Sequence, residues 1–234
     1  PGPIPILVNP VNDPPVVTVP TGPHVLAEGP GQSLPIYGIG VTDVDAGATP
    51  PGYVVVTLSI PVNQGSLAVL AGVTGGVPSS RITGNGTGSI TLTGTPAEVN
   101  ETLSLPRGVT YTVPDENFNN NRAGGDVILT VSANDEGRTG SGLVTTDTET
   151  LAITVTPVND LPVLTLPGLQ TLNEGLGATR AITGIQVADV DYEELGAADL
   201  AVSLAIPAGQ GTLAVATGVT GGVTNILGNG TNAI

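Results

Sequence analysis

The sequence predicts an all-β chain of tandem antiparallel β-sandwich domains with a short helix in each, and three observations carry that reading. The apolar segments are short and rich in β-branched residues. Gly, Pro, Asn and Asp fall between them, as turns between strands require. The chain also repeats itself at the length of a whole domain.

Taken in order, Val16–Val19 opens a first complete copy after the Pro14-Pro15 stop. Ser33–Ile36 and Ile39–Thr42 read as short strands around Gly38. Val54–Ile60 alternates, with Val54, Val56, Leu58 and Ile60 on one face. Ser66–Leu70 follows the turn signal Asn63-Gln64-Gly65. Ser89–Thr93 alternates again, and Val109–Val113, Val127–Ala133 and Leu151–Val155 complete about eight or nine strands. One segment reads as helix: Thr95 as N-cap, Pro96 at the first helical position, Glu98 three residues after the cap, and Val99 with Leu103 on one face. Pro106 ends anything longer.

The repeat is explicit. VVVTLSIPVNQGSLAVLAGVTGGV at Val54–Val77 returns as LAVSLAIPAGQGTLAVATGVTGGV at Leu200–Val223. Asp43-Val44-Asp45 returns as Asp189-Val190-Asp191, and Glu28-Gly29 returns as Glu174-Gly175, at a period of about 146 residues. A period of that size is a domain rather than a solenoid unit. Residues 1–14 therefore read as the end of a preceding repeat and its linker, 15–160 as a complete repeat, and 161–234 as the first half of the next. Ile6-Leu7-Val8 would match Ile153-Thr154-Val155 as a last strand. The natural polypeptide is expected to be longer, with the second copy incomplete and its strands short of partners.

Composition narrows the function classes. There is no Cys and no Lys, which excludes disulfides, thiolate metal sites and lysine cross-links. The net charge is −15 with Arg as the only strong cation, which disfavours nucleic acid and anionic lipid and suits divalent cations. No apolar run reaches membrane-span length. The hydrophobic share of 39% and mean hydropathy of +0.29 argue against disorder.

No enzyme is expected. G-x-S-x-G, H-E-x-x-H and a Gly-rich phosphate loop are all missing, and His24 beside Pro23 is the only His, read as an exposed loop residue. Aromatic sugar platforms are scarce, and Tyr111 with Phe118 reads as core. Asn85-Gly86-Thr87, Asn100-Glu101-Thr102 and Asn229-Gly230-Thr231 match the N-glycosylation triplet, a pattern that chance also supplies in a chain this rich in Asn, Gly and Thr.

The carboxylates gather in short motifs. Asp43-Val44-Asp45-Ala46-Gly47 puts two acids on one side of an extended segment before a turn at Gly47. Asn12-Asp13-Pro14-Pro15 lies in the linker, Asn134-Asp135-Glu136-Gly137 ends a strand, and Glu28 precedes Gly29. Such acids are either solvated turns or hard oxygen ligands of the kind Ca²⁺ takes. Asp115-Glu116 and Glu193-Glu194 read as solvated loops.

In its motifs and their order, this copy resembles a cadherin repeat. VLAEGPGQSLPIYGIGVTDVDAG (Val25–Gly47) is similar to the opening of one, VSANDEG (Val131–Gly137) to the A-x-D-x-G segment, and VNDPP to the linker. TPAEVNETLSLPRGVTYTVPDENFN (Thr95–Asn119) is similar to the cadherin-like tandem domains of large bacterial surface proteins. The resemblance implies an Ig-like Greek-key sandwich and calcium at the joints. One joint would use Asn12, Asp13, Asp43, Asp45 and Asp135. The next would use Glu28, Asn159, Asp160, Asp189 and Asp191, with Glu174 as the repeat of Glu28. Asp115 would stand for the Asp of the missing L-D-R-E motif, but Asn117 replaces its Glu, and Pro10 or Pro157 replaces the leading linker Asp. Fewer carboxylates imply fewer or weaker ions.

The function so implied is a structural spacer or stalk in a long extracellular or cell-surface protein, serving adhesion or built into a filament or sheath. Its partners would be neighbouring copies in the same chain and identical chains laterally or end to end. A carbohydrate- or protein-binding module is the alternative, with AGVTGGV and Gly84–Gly88 as contact loops. Recurrence of that loop in both copies favours a role common to every repeat.

Overall fold

A computed structural model describes the chain apart from residues 1, 5, 7–10, 47–51, 105, 107, 138–143, 193–198, 218–222 and 224. The Gly47 turn, Glu193-Glu194 and part of the Ile6–Val8 segment lie outside the described residues. The chain is mostly β and divides into two units, Pro1–Val190 and Asp191–Ile234.

The first unit holds every strand of the complete copy. They are β1 (Val16–Thr18), β2 (Val25–Ala27), β3 (Ser33–Ile36), β4 (Gly40–Thr42), β5 (Val54–Ser59), β6 (Ser66–Val69), β7 (Ile82–Thr83), β8 (Ser89–Gly94), β9 (Val109–Thr112), β10 (Val127–Asn134) and β11 (Thr146–Thr156). A six-stranded sheet runs β2-β11-β10-β5-β8-β7, a three-stranded sheet runs β3-β9-β6, and β1 pairs with β4.

Alternation decides which face is buried. Val54, Val56 and Leu58 of β5 point inward, as do Ile90 and Leu92 of β8 and Val127, Leu129, Val131 and Ala133 of β10. Leu67, Val69, Val109 and Tyr111 from the three-stranded sheet join the same apolar cluster, together with Val17, Val41 and Phe118. Burial pushes the Tyr111 hydroxyl up to about 12, and that hydroxyl donates to the Gln64 carbonyl at 2.8 Å.

Helix α1 (Pro96–Leu103) forms where the sequence places it. The Thr95 hydroxyl accepts from the Glu98 N–H at 3.2 Å and the Glu98 carboxylate accepts from the Thr95 N–H at 2.8 Å, so the capping box is closed. Val99 and Leu103 are fully buried. Burial alone would raise the Glu98 carboxyl, but the Thr95 backbone N–H, the Arg81 guanidinium at 3.0 Å and the Thr95 hydroxyl outweigh it and hold it below its usual range.

The structure corrects the sequence reading, first by adding strands β2 and β7 that it did not name. A second short helix, α2 (Asn120–Ala123), follows Phe118, capped by Asn119 and ended by Gly124 in the left-handed region. β2 pairs with β11 in parallel, so the six-stranded sheet is not purely antiparallel. The second and last strands of the copy meet there, and the residues between them supply the long connection a parallel pair needs. β11 begins at Thr146, five residues before the apolar stretch, because β10 pairs along its whole length. His24 is half-buried, and its carbonyl accepts from the Thr154 N–H at 2.9 Å.

The second copy repeats the local pairings. β12 (Val163–Thr165) pairs with β13 (Gln186–Ala188) in the register of β1 with β4. In the second unit, Leu204 and Ile206 bond to Ile234 and Asn232, as β5 and its turn bond to β8.

Candidate functional site

Two sets of the sequence-selected acids lie at the two ends of the β10–β11 ladder. At one end, where Asn134 faces Thr146, β10 delivers Asp135, which is fully buried. The linker lies against it: the Asn12 amide donates to Asp135 Oδ2 at 2.5 Å. The next linker residue continues the chain of bonds, since the Asp13 N–H donates to Asp45 Oδ2 at 2.7 Å. Asp43 organises the turn after β4, where its Oδ1 accepts from the Asp45 N–H at 2.9 Å and the Ala46 N–H at 3.1 Å. Asp135 Oδ1 does the same for its own turn, accepting from Gly137 at 2.9 Å. Asn12, Asp13, Asp43, Asp45 and Asp135 are thus joined, by three hydrogen bonds and the Asn12–Asp13 peptide bond, into one connected group.

One atom in that group is unsatisfied. Asp43 Oδ2 is buried, and among the described residues no donor meets it. A buried carboxylate oxygen without a donor costs free energy unless a cation or water meets it. The side chains of the connected residues, four aspartates and an asparagine, offer only oxygen ligands to a cation, the chemistry of a hard divalent ion. Among the described residues, however, no three or more His, Asp or Glu side chains are arranged to hold a metal ion. The acids are linked in series through Asn12 and backbone N–H groups, with Asp45 and Asp135 already accepting from protein donors.

At the other end of the ladder sits Glu28, also buried. Its N–H donates to the Thr156 carbonyl at 3.0 Å. Its Oε1 accepts from the Val158 N–H at 2.6 Å and its Oε2 accepts from the Asn119 amide at 2.8 Å. Asn119 in turn caps α2 through Oδ1, and the neighbouring Asn120 accepts from the Val155 N–H at 2.8 Å. The strand leaving the copy is therefore gripped at Val155, Thr156 and Val158 by neutral donors and acceptors around one carboxylate.

The remaining sequence-selected residues are placed separately. Asp115 is exposed beside Arg122 at 3.5 Å and accepts from the Asn117 N–H at 3.0 Å. Asn159 and Asp160 are exposed, and so is Glu174. Asp189, just after β13, is half-buried, and Asp191, the first residue of the second unit, is buried.

Sequence reasoning missed Asn119 and Asn120, whose signal was the asparagine run at the NFNN stretch ahead of a Gly pair. It also gave the three N-x-T asparagines only a glycan reading. In the structure the Asn100 amide is committed to Val41 and the Asn85 amide to Val69.

Compared with protein-family models, with curated proteins and with solved structures, the chain matches none. No helix among the described residues is long and apolar enough to cross a membrane.

Proposed function

We propose that the chain belongs to the class of tandem β-domain arrays that act through their shape and reach rather than by turning over a substrate. Within that class we read it as a spacer of an extracellular or cell-surface protein, built from cadherin-like Greek-key sandwiches whose joints are stiffened by calcium. The observation that carries this reading is the bonded series Asp135–Asn12–Asp13–Asp45–Asp43, which ties linker residues to acids of the domain that follows. Asp43 Oδ2 adds a buried oxygen that no donor among the described residues meets.

The residues that would hold the ion at this joint are Asp43, Asp45, Asp135, Asp13 and the Asn12 carbonyl. A divalent cation would offset the mutual repulsion of these acids in a chain with few cations of its own. The Glu28 grip on Val158 would fix the direction in which the following linker leaves. A spacer needs both: a defined entry and a defined exit. Copies in series then add length at fixed angles, with short Pro-containing linkers limiting bending.

Small-angle scattering of the full chain in millimolar Ca²⁺ and in chelator tests this. The reading expects a narrower distribution of shapes with calcium than with chelator. Identical profiles in the two buffers would remove the calcium-stiffened joint.

A further inference from the structure

The three N-x-T triplets share a structural task. On the side of β6 facing away from β9, the backbone groups of Leu67 and Val69 point outward. All are satisfied. The Leu67 N–H donates to Thr87 O at 2.7 Å and the Gly86 N–H donates to Leu67 O at 2.9 Å. Beyond them, the Val69 N–H donates to Asn85 Oδ1 at 2.8 Å and Asn85 Nδ2 donates to Val69 O at 3.0 Å. The Asn85 side-chain amide thus stands in for one more residue of a pairing strand. Gly84 makes room for this turn: its φ is +73°, and a Cβ there would lie 2.1 Å from the Ser89 carbonyl.

The second copy builds the same arrangement. Leu213 bonds to Thr231 at 2.6 Å and Gly230 to Leu213 at 2.8 Å. The Val215 N–H donates to Asn229 Oδ1 at 2.8 Å and Asn229 Nδ2 donates to Val215 O at 3.2 Å. At β4 the device recurs from a helix, where Asn100 of α1 accepts from the Val41 N–H and donates to Val41 O, each at 2.8 Å.

An exposed strand edge is a template for another chain, and tandem arrays hold identical edges at high local concentration. We propose that Asn85 and Asn229 are edge guards: their amides close the outward ladder of β6 and of its repeat against pairing with a second copy of this chain. The occupant excluded is a second copy because the edge it would meet has the same sequence and the same pair of outward apolar-flanked residues. This inference is independent of the calcium reading.

The test uses the full chain and three paired variants: Asn85→Ala with Asn229→Ala, Asn85→Asp with Asn229→Asp, and Thr87→Ala with Thr231→Ala. Association is followed by size-exclusion chromatography with light scattering over a concentration series, and exchange of the Val69 amide hydrogen by mass spectrometry or NMR. The Ala pair is expected to associate at a concentration about tenfold lower than the native chain, because pairing recovers the bonds the amides made. Its Val69 amide should exchange quickly when dilute and become protected again on association, which mere loosening of the turn would not produce. The Asp pair keeps the acceptor and loses the donor, so it should fall between the two. The Thr pair weakens the turn with the edge still paired, and should associate no more than the native chain. Association of the Thr pair equal to that of the Ala pair would overturn the proposal. So would an Ala pair that stays at the native state with Val69 exchanging at every concentration. If the Ala pair does not fold, a folded Asp pair that associates no more readily than the native chain overturns it equally.

Discussion

The two copies share their local bonds and differ in what those bonds enclose. The Ile60 N–H meets Gly88 at 2.9 Å in the first, and Ile206 meets Asn232 at 3.0 Å in the second. The Thr87 hydroxyl donates to Gly84 and Ser89, and the Thr231 hydroxyl donates to Gly228 and Ala233. Val17 is 4% exposed, while Leu164, its counterpart in β12, is 53% exposed. Val56 is 1% exposed and Val202 is 45% exposed. Turn chemistry and hairpin register are thus written within about thirty residues of sequence. Burial is not. In the first copy it comes with β9, β10 and β11, which extend the sheets of β3, β5 and β6 and add their own apolar side chains to one core cluster.

The sharpest way to break this contrast is a matched core deletion. Leu58→Ala should cost ~2–5 kcal/mol of unfolding free energy, because the cavity opens inside a packed cluster. Leu204→Ala, at the same place in the repeat, should stay within ~0.5 kcal/mol. Urea melts of the two variants decide it, and equal losses would mean the second copy buries this face after all.

Calcium should act on the first copy's joint. Occupancy at ~100 times the dissociation constant would stabilise the folded chain by ~2.7 kcal/mol. A thermal melt should then shift upward in millimolar Ca²⁺, and Asp13→Ala should remove most of the gain.

The α1 cap comes next. Thr95→Ala should cost ~1 kcal/mol. The Glu98 carboxyl is held below its usual 4.5, so its contribution is present above that pH in the folded chain and is lost as pH falls through the lowered value. Glu98→Gln should flatten the stability profile of the first copy between those limits. An unchanged profile would mean the carboxylate is indifferent to Thr95 and Arg81.

The smallest effect expected is at Tyr111→Phe, which removes one hydrogen bond to Gln64 for ~0.5–1.5 kcal/mol without opening a cavity.

What was legible in the sequence follows the same division. The alternation of Val54, Val56 and Leu58 and the Thr95–Glu98 capping box lie within single elements, and both were readable. The start of β11 was not, because Thr146–Thr150 carries no apolar signal and is strand only through its pairing with β10. β2 was missed for a related reason. Three residues beside Glu28 make no pattern, and their partner lies far along the chain at Thr154–Thr156. At the joint, the acids could be chosen by type and order, and four of them are connected together with Asn12. That Glu28 would be spent on Asn119 and Val158 was invisible, since one donor is an asparagine amide after Phe118 and the other a backbone N–H.

The central claim is that the Asp43 group receives a divalent cation, and isothermal calorimetry of Ca²⁺ into the full chain tests it most directly, with Asp43→Ala alongside. The account predicts a saturable binding heat for the native chain that is lost in the variant, with both chains folded by circular dichroism. No heat with the native chain, or the same heat with Asp43→Ala, would contradict it and leave these acids as hydrogen-bonded turns.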